Sequence, residues 1–277
     1  MRYMTDMDKI IMNALKEDIP SGDITTDNII GENSESEAIL IAKDDGVIAG
    51  LNVAQRVFLL LDDGIIFKKV AEEGQQVKCG DIIATVSGNT RAVLKAERTA
   101  LNLLQRLSGI ATATRKLVDR VGDIKAKVVD TRKTTPGLRI LEKYAVRVGG
   151  GYNHRFSLSD GVLIKDNHIK AAGGIKNAIE HVRNRIPHTI KIEIETETIE
   201  QVQEALDAGA DIIMFDNMGL DKMKEAVKIV NGRAITEASG NINENTIYDI
   251  ACTGVGIISV GGLTHSVNSF DISMEIN

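Results

Sequence analysis

The sequence predicts an α/β protein whose larger part is an incomplete parallel α/β barrel, preceded by a smaller β-rich domain. Three observations carry this expectation. From about Lys127 onward, apolar strand candidates alternate with amphipathic helices in six units, at a repeat of roughly 20 to 35 residues. The connections are short and the strands almost continuously apolar, as in strands covered on both faces. No Gly-rich turn follows the first of these strands, which a doubly wound sheet would normally carry.

In chain order, a helix is predicted over Asp6 to Asp18, where Ile10, Ile11, Ala14 and Leu15 recur at helical spacing, and Ser21-Gly22-Asp23 ends it. Strand-like runs follow at Ala38 to Ala42, Val47 to Ala49, Ile65 to Val70 and Ile82 to Val86, with a helix over Leu51 to Leu61 among them. The piece from Glu73 to Val86 has the look of a hammerhead or biotinyl-type β-module, its glycines placed where tight turns need positive φ. A carrier role would put a modified lysine at the turn, and Lys78 is there, but the Met-Lys-Met sequence of biotin carriers is absent. A long helix is predicted from Arg91 to Val121, with Leu101, Leu104, Leu107 and Ile110 in phase. The barrel strands are Ala126 to Asp130, Val162 to Lys165, Thr189 to Thr196, Asp211 to Asn217, Ala234 to Gly240 and Gly256 to Gly262. Helices lie between them at Leu138 to Val148, Gly174 to Arg185, Thr198 to Ala208, Leu220 to Val230 and Glu244 to Ala251.

Composition narrows the function. Apolar content of 43% and charged content of 26% over 277 residues allow a packed core, and aromatic content of 3% with no Trp excludes a base-stacking platform. A net charge of −6 argues against a general nucleic-acid binder. No stretch approaches the roughly 18 continuous apolar residues of a membrane span, and the start, Met1 to Asp6, has no secretory core. A cytoplasmic location is therefore expected. Cys79 and Cys252 share no ligand-like spacing and read as two buried, reduced thiols.

Almost every barrel strand ends in polar residues: Asp130-Thr131-Arg132-Lys133, Lys165-Asp166-Asn167-His168, Glu193 with Glu195, Asp216-Asn217, Glu237 with Ser239-Gly240, and Gly261-Gly262. In a parallel α/β barrel these ends converge on one mouth, where active sites sit. The run from Ile190 to Glu195 alternates strictly, so Lys191, Glu193 and Glu195 share the face that points into the lumen. Glu193 with Lys191 reads equally as a structural ion network or as part of a site, whereas Glu195 lies closest to the mouth. Between Asp130 and Lys170 eight basic residues face four acidic ones, a positive island suited to an anionic small molecule. A strand-end Lys165 also admits Schiff-base chemistry. Of the histidines, His154 stands beside Arg155 and reads as functional, His168 stays open, and His181 and His188 read as ordinary surface residues.

At this point the ordered motifs resemble the quinolinate phosphoribosyltransferase family. They are Glu97 to Asn102 with Ser108 to Thr112, Asp130 to Arg139, Glu142 to Val146, Gly149 to Arg155, Leu163 to His168, Ile192 to Glu195, Phe215 to Met218, Glu237 to Gly240 and Ser259 to His265. Each piece alone is weak, but the ordered set spans nearly the whole chain. Two positions depart from the usual family pattern, Ser157 and Asn241, each where glycine is common.

The resemblance implies an N-terminal α/β sandwich of residues 1–110, completed by 266–277, and an incomplete barrel of residues 111–265. It implies phosphoribosyl transfer from phosphoribosyl pyrophosphate to quinolinate with decarboxylation, in de novo NAD biosynthesis; a relative using another aromatic acid, such as the molybdate-transport-associated homologue, is the alternative. A homodimer with shared sites is implied, with further assembly left open. Arg98, Arg132 and Arg155 would clamp the dicarboxylate, Arg98 from the partner subunit, while Lys133, His154, Lys165 and Arg139 would line the same pocket. Glu195 and Asp216 would hold Mg²⁺, and Ser239, Gly240, Gly261 and Gly262 would cradle the 5′-phosphate.

Overall fold

The computed structural model describes residues 6–276. The opening Met1 to Thr5, on which the expectation of no secretory core rests, lies outside the described residues. Along the chain the elements are α1 (Asp6–Asp18), α2 (Ile24–Ile29), β1 (Glu35–Ala42), β2 (Gly46–Val47), α3 (Leu51–Leu61), β3 (Ile66–Lys69), β4 (Gln76–Val77), β5 (Ile82–Asn89), α4 (Thr90–Val121), β6 (Lys127–Val129) and α5 (Arg139–Val148). They continue with β7 (Val162–Ile164), α6 (Asp166–Ala172), α7 (Ile175–Arg183), β8 (Ile192–Thr196), α8 (Ile199–Asp207), β9 (Ile212–Asp216), α9 (Leu220–Val230), β10 (Ile235–Ser239), α10 (Ile247–Ala251), β11 (Ile257–Ser259), α11 (Gly262–His265) and β12 (Ile272–Ile276).

Two compact units result. The first takes the chain through Arg115 with residues 135–150 and 267 onward; the second takes residues 116–134 and 151–266. The first unit is built on an antiparallel sheet in the order β12-β1-β5-β3. Its edge strand β12 comes from the far end of the sequence, where Ile272 pairs with Ala42. Ile11 and Leu15 of α1 are buried, and the α1 carboxylate of Asp8 accepts from Arg56 of α3 at 2.8 and 3.0 Å. Gly109 of α4 is required by close approach, because a Cβ there would sit 2.1 Å from the carbonyl oxygen of Asn268.

The second unit carries six parallel strands in the order β6-β11-β10-β9-β8-β7. Successive strands are neighbours and the last, β11, returns to pair with the first, so the sheet curls toward closure and stays open between β6 and β7. This is the incomplete barrel. Ile192, Ile194, Ile213, Phe215, Ala238 and Ile258 are all fully buried, and each large member is worth about 2 kcal/mol. The register puts Glu193 and Glu195 of β8 beside Ile212 and Met214 of β9, and Glu237 of β10 beside Met214, so all three acids share one sheet face. Tyr152 adds a parallel bridge to Val129, on the free edge of β6.

Two expectations change here. Both cysteines are free but exposed rather than buried. Lys191 precedes β8 and is exposed, so it is not the lumenal partner of Glu193.

Candidate active site

The segment Tyr152 to Arg155 is pinned from three strands. The carboxylate of Asp130, which follows β6 and is fully buried, accepts from the His154 backbone N–H at 2.9 Å and from the Asn153 amide at 2.5 Å. The His154 ring accepts at Nδ1 from the Arg155 N–H at 2.8 Å. A neutral imidazole has one lone-pair nitrogen, so the proton lies on Nε2. That nitrogen stands 3.0 Å from Glu193 Oε2 and 3.7 Å from Glu237 Oε1. Glu193 is 4% and Glu237 1% exposed. Burial, then the neighbouring Glu193, pushes the Glu237 carboxyl up to about 7.

Nearer the mouth, Lys165 Nζ meets Glu195 Oε1 at 2.6 Å. The Arg155 guanidinium donates to the Gly161 carbonyl at 2.8 Å, and burial, then the like charge of Arg132, lowers its pKa. Ser157 closes this loop by donating to Asp160 Oδ1 at 2.9 Å, a contact glycine could not make. The Lys133 carbonyl accepts from Thr264 at 2.7 Å, and its side chain lies against Gly261, where a Cβ would come within 3.0 Å. Gly240 has φ +99°, and a Cβ there would collide with Asn217 at 2.2 Å. Asn241 adopts φ +52° and donates to Asn217 Oδ1 at 3.1 Å, so the second departure from glycine keeps the left-handed backbone. Asp216 ends β9 level with Ser239 of β10.

Arg132, Lys133, His154, Arg155, Lys165, Glu195, Asp216, Ser239, Gly240, Gly261 and Gly262 thus all belong to the second unit; His154 and Arg155 follow the Tyr152 bridge beside β6, and the others lie at or just beyond strand ends. Arg98, exposed on α4, and Arg139, the first residue of α5, belong to the first. The positive island likewise divides, Arg139, Lys143 and Arg147 falling in the first unit. His168 caps α6, its Nδ1 accepting from the Lys165 N–H at 3.0 Å. Asp130 and Glu237, whose strand-end places were noted, join the site as buried partners of the His154 segment. The sequence signal for each was an acid at a strand end, inside the motifs Asp130 to Arg139 and Glu237 to Gly240.

The fold and this mouth define a class: an incomplete α/β barrel whose strand ends gather several cations and two carboxylates, a setting for a polyanionic small molecule. Family models for the quinolinate phosphoribosyl transferase N-terminal and C-terminal domains match residues 23–108 and 110–275. The chain belongs to the quinolinate phosphoribosyltransferase family. It is 48% identical to a probable nicotinate-nucleotide pyrophosphorylase (carboxylating) of Bacillus subtilis, over 97% of this chain and 92% of that one. A quinolinate phosphoribosyltransferase (decarboxylating) of Nicotiana tabacum is 42% identical, over 98% and 82%. A crystal structure of NadC from Streptococcus pyogenes superposes with a TM-score of 0.95 at 44% identity, covering 98% of this chain and 96% of that one.

Proposed function

We propose that this chain carries out decarboxylating phosphoribosyl transfer, joining quinolinate to phosphoribosyl pyrophosphate and releasing nicotinate mononucleotide, pyrophosphate and CO₂. The observation that carries the reading is the gathering of Arg132, Lys133, Arg155 and Lys165 with Glu195 and Asp216 at the strand ends of one barrel. Arg132 and Arg155 hold the two adjacent carboxylates, and their planar forks suit that geometry. Arg98, exposed on α4, is assigned to the partner's site in a homodimer, and Arg139 to substrate binding. Lys133 and Lys165 contact the substrate or its phosphates, and His154 lines the same pocket. The backbone N–H groups of Ser239-Gly240 and Gly261-Gly262 take the 5′-phosphate, where glycine permits close approach. The free cysteines, in no disulfide, accord with a reducing cytoplasm.

The donors at the mouth fit Mg²⁺ in kind. Glu195 and Asp216 offer hard carboxylate oxygens on adjacent strands, and that ion binds through one or two carboxylates plus substrate phosphate. The deeper group of His154, Glu193 and Glu237 offers three atoms within 4.8 Å of one another, but its nitrogen already carries the proton that faces Glu193. Bound Mg²⁺ would neutralise charge growing on the departing pyrophosphate.

The test is incubation with quinolinate, phosphoribosyl pyrophosphate and Mg²⁺, nicotinate serving as a parallel substrate. Equimolar CO₂ and mononucleotide from quinolinate alone are expected; no product from folded protein would move the search to other aromatic acids. Arg132→Ala should cost quinolinate binding on the order of 2–3 kcal/mol, as a charged hydrogen-bonding group does, and leave phosphoribosyl pyrophosphate binding far less affected. Equal losses for both substrates would remove Arg132 from the clamp.

A further inference from the structure

The His154 ring has a single proton to offer, and it goes to Glu193, whose two oxygens lie 3.0 and 3.3 Å from Nε2. Glu237 Oε1 is buried, has no hydrogen-bond partner, and stands 3.7 Å from the same nitrogen. Two ionised carboxylates here would leave two buried negative charges facing one neutral imidazole, an arrangement that burial strongly disfavours. A proton on Glu237 removes one of them. An ionised Glu237 would instead compete with Glu193 for the Nε2–H and turn the ring, taking Nδ1 away from the Arg155 N–H. A metal ion fits less well, because Nε2 could ligate it only by losing its proton while Nδ1 stays occupied.

We propose that Glu237 is a positioning residue for the dicarboxylate half of the site, its neutral buried carboxyl backing the Glu193–His154 contact and so fixing Arg155 in place. The inference rests on the reading of Arg155 as a clamp for quinolinate. The upward shift of the Glu237 carboxyl to about 7 agrees with it. The titratable groups facing Glu237 are Glu193, Glu195 and His154.

The experiment is calorimetric titration of quinolinate into wild type, Glu237→Gln, Glu237→Leu and Arg155→Ala, with kcat and both KM values alongside. The uncharged isostere Glu237→Gln should keep quinolinate affinity within ~2-fold, and Glu237→Leu, which fills the space without a polar group, should weaken it ~10-fold, with KM for phosphoribosyl pyrophosphate unchanged in both. Wild-type affinity should weaken by about pH 8, and Glu237→Gln should hold it, a readout that stands even if the leucine variant does not fold. A Glu237→Gln variant that binds quinolinate poorly at neutral pH overturns the proposal, because an anion would then be needed. So does a Glu237→Leu variant that binds like wild type while Arg155→Ala does not. Unchanged affinity in Arg155→Ala sinks the clamp reading, and the proposal with it.

Discussion

Each unit buries a group of ionisable side chains, and the two groups are balanced differently. In the first unit Glu142, fully buried, accepts from Arg106 Nε at 3.1 Å and Nη2 at 2.9 Å, and its other oxygen accepts from the Thr135 N–H at 3.0 Å. In the second unit Glu193 and Glu237 face one neutral imidazole. The first group matches its charge with a guanidinium and a backbone donor, as a structural network must. The second has only an imidazole N–H and the Ser259 hydroxyl for two carboxylates, and a proton on Glu237 removes the surplus charge. Charge that is buried and under-compensated inside a mouth for anions belongs with ligand binding; charge that is buried and fully met belongs with folding.

The largest expected effect breaks the balanced group. Glu142→Ala leaves the Arg106 guanidinium without its carboxylate and should cost about 3–5 kcal/mol, the usual penalty for removing one partner of a buried pair. Urea unfolding measures it directly. A midpoint shifted by under ~1 kcal/mol would mean that water reaches Arg106 readily and that the pair is a surface one in energetic terms.

Much of the fold was legible in the sequence, and neither buried group was as a whole. Strong periodicity placed α3 over Leu51–Leu61 and α9 over Leu220–Val230 to the residue, and the alternation in β8 put Glu193 and Glu195 on one face. α6 escaped notice because it buries no residue, so no apolar stripe marks it; its start is set by a His168 cap. α2 escaped as a single short turn capped by Asp23. The polar residues Glu35, Ser36 and Glu37 pair with Asn89, Gly88 and Ser87, since ladder hydrogen bonds do not require apolar side chains. The group of His154, Glu193 and Glu237 draws on three distant segments, and only the folded register brings them together. Linear closeness misled in the opposite direction, the basic run from Arg132 to Lys170 being split between two units.

The unbalanced group should show itself in pH dependence. Its folded pKa, about 7, lies above the usual 4.5, so the neutral form is the one the fold favours. The stability it contributes is therefore present at pH below about 4.5 and is lost as pH rises through about 7. Glu237→Gln removes this dependence and should be more stable than wild type at about pH 8, by on the order of 2 kcal/mol, with the gap closing toward acid. Thermal unfolding across that range checks the sign. A gap that stays constant with pH would place the unbalanced proton elsewhere.

The smallest effect on stability is expected at the mouth itself. Lys165 and Glu195 lie 2.6 Å apart, but the lysine side chain is 48% exposed. Water screens such a pair, and ordering the long side chain offsets part of the attraction, so Lys165→Ala should change unfolding free energy by under ~1 kcal/mol. Its effect on turnover should be much larger, on the order of 100-fold in kcat/KM, because the ammonium faces an anionic substrate where charge develops in the reaction. Loss of activity with an unmoved urea midpoint would make the mouth the reverse of the Glu142 group, costly to function and nearly neutral to folding. A stability loss as large as that of Glu142→Ala, with turnover falling only in proportion to the unfolded fraction, would make Lys165–Glu195 a structural pair and take Lys165 out of the substrate's reach.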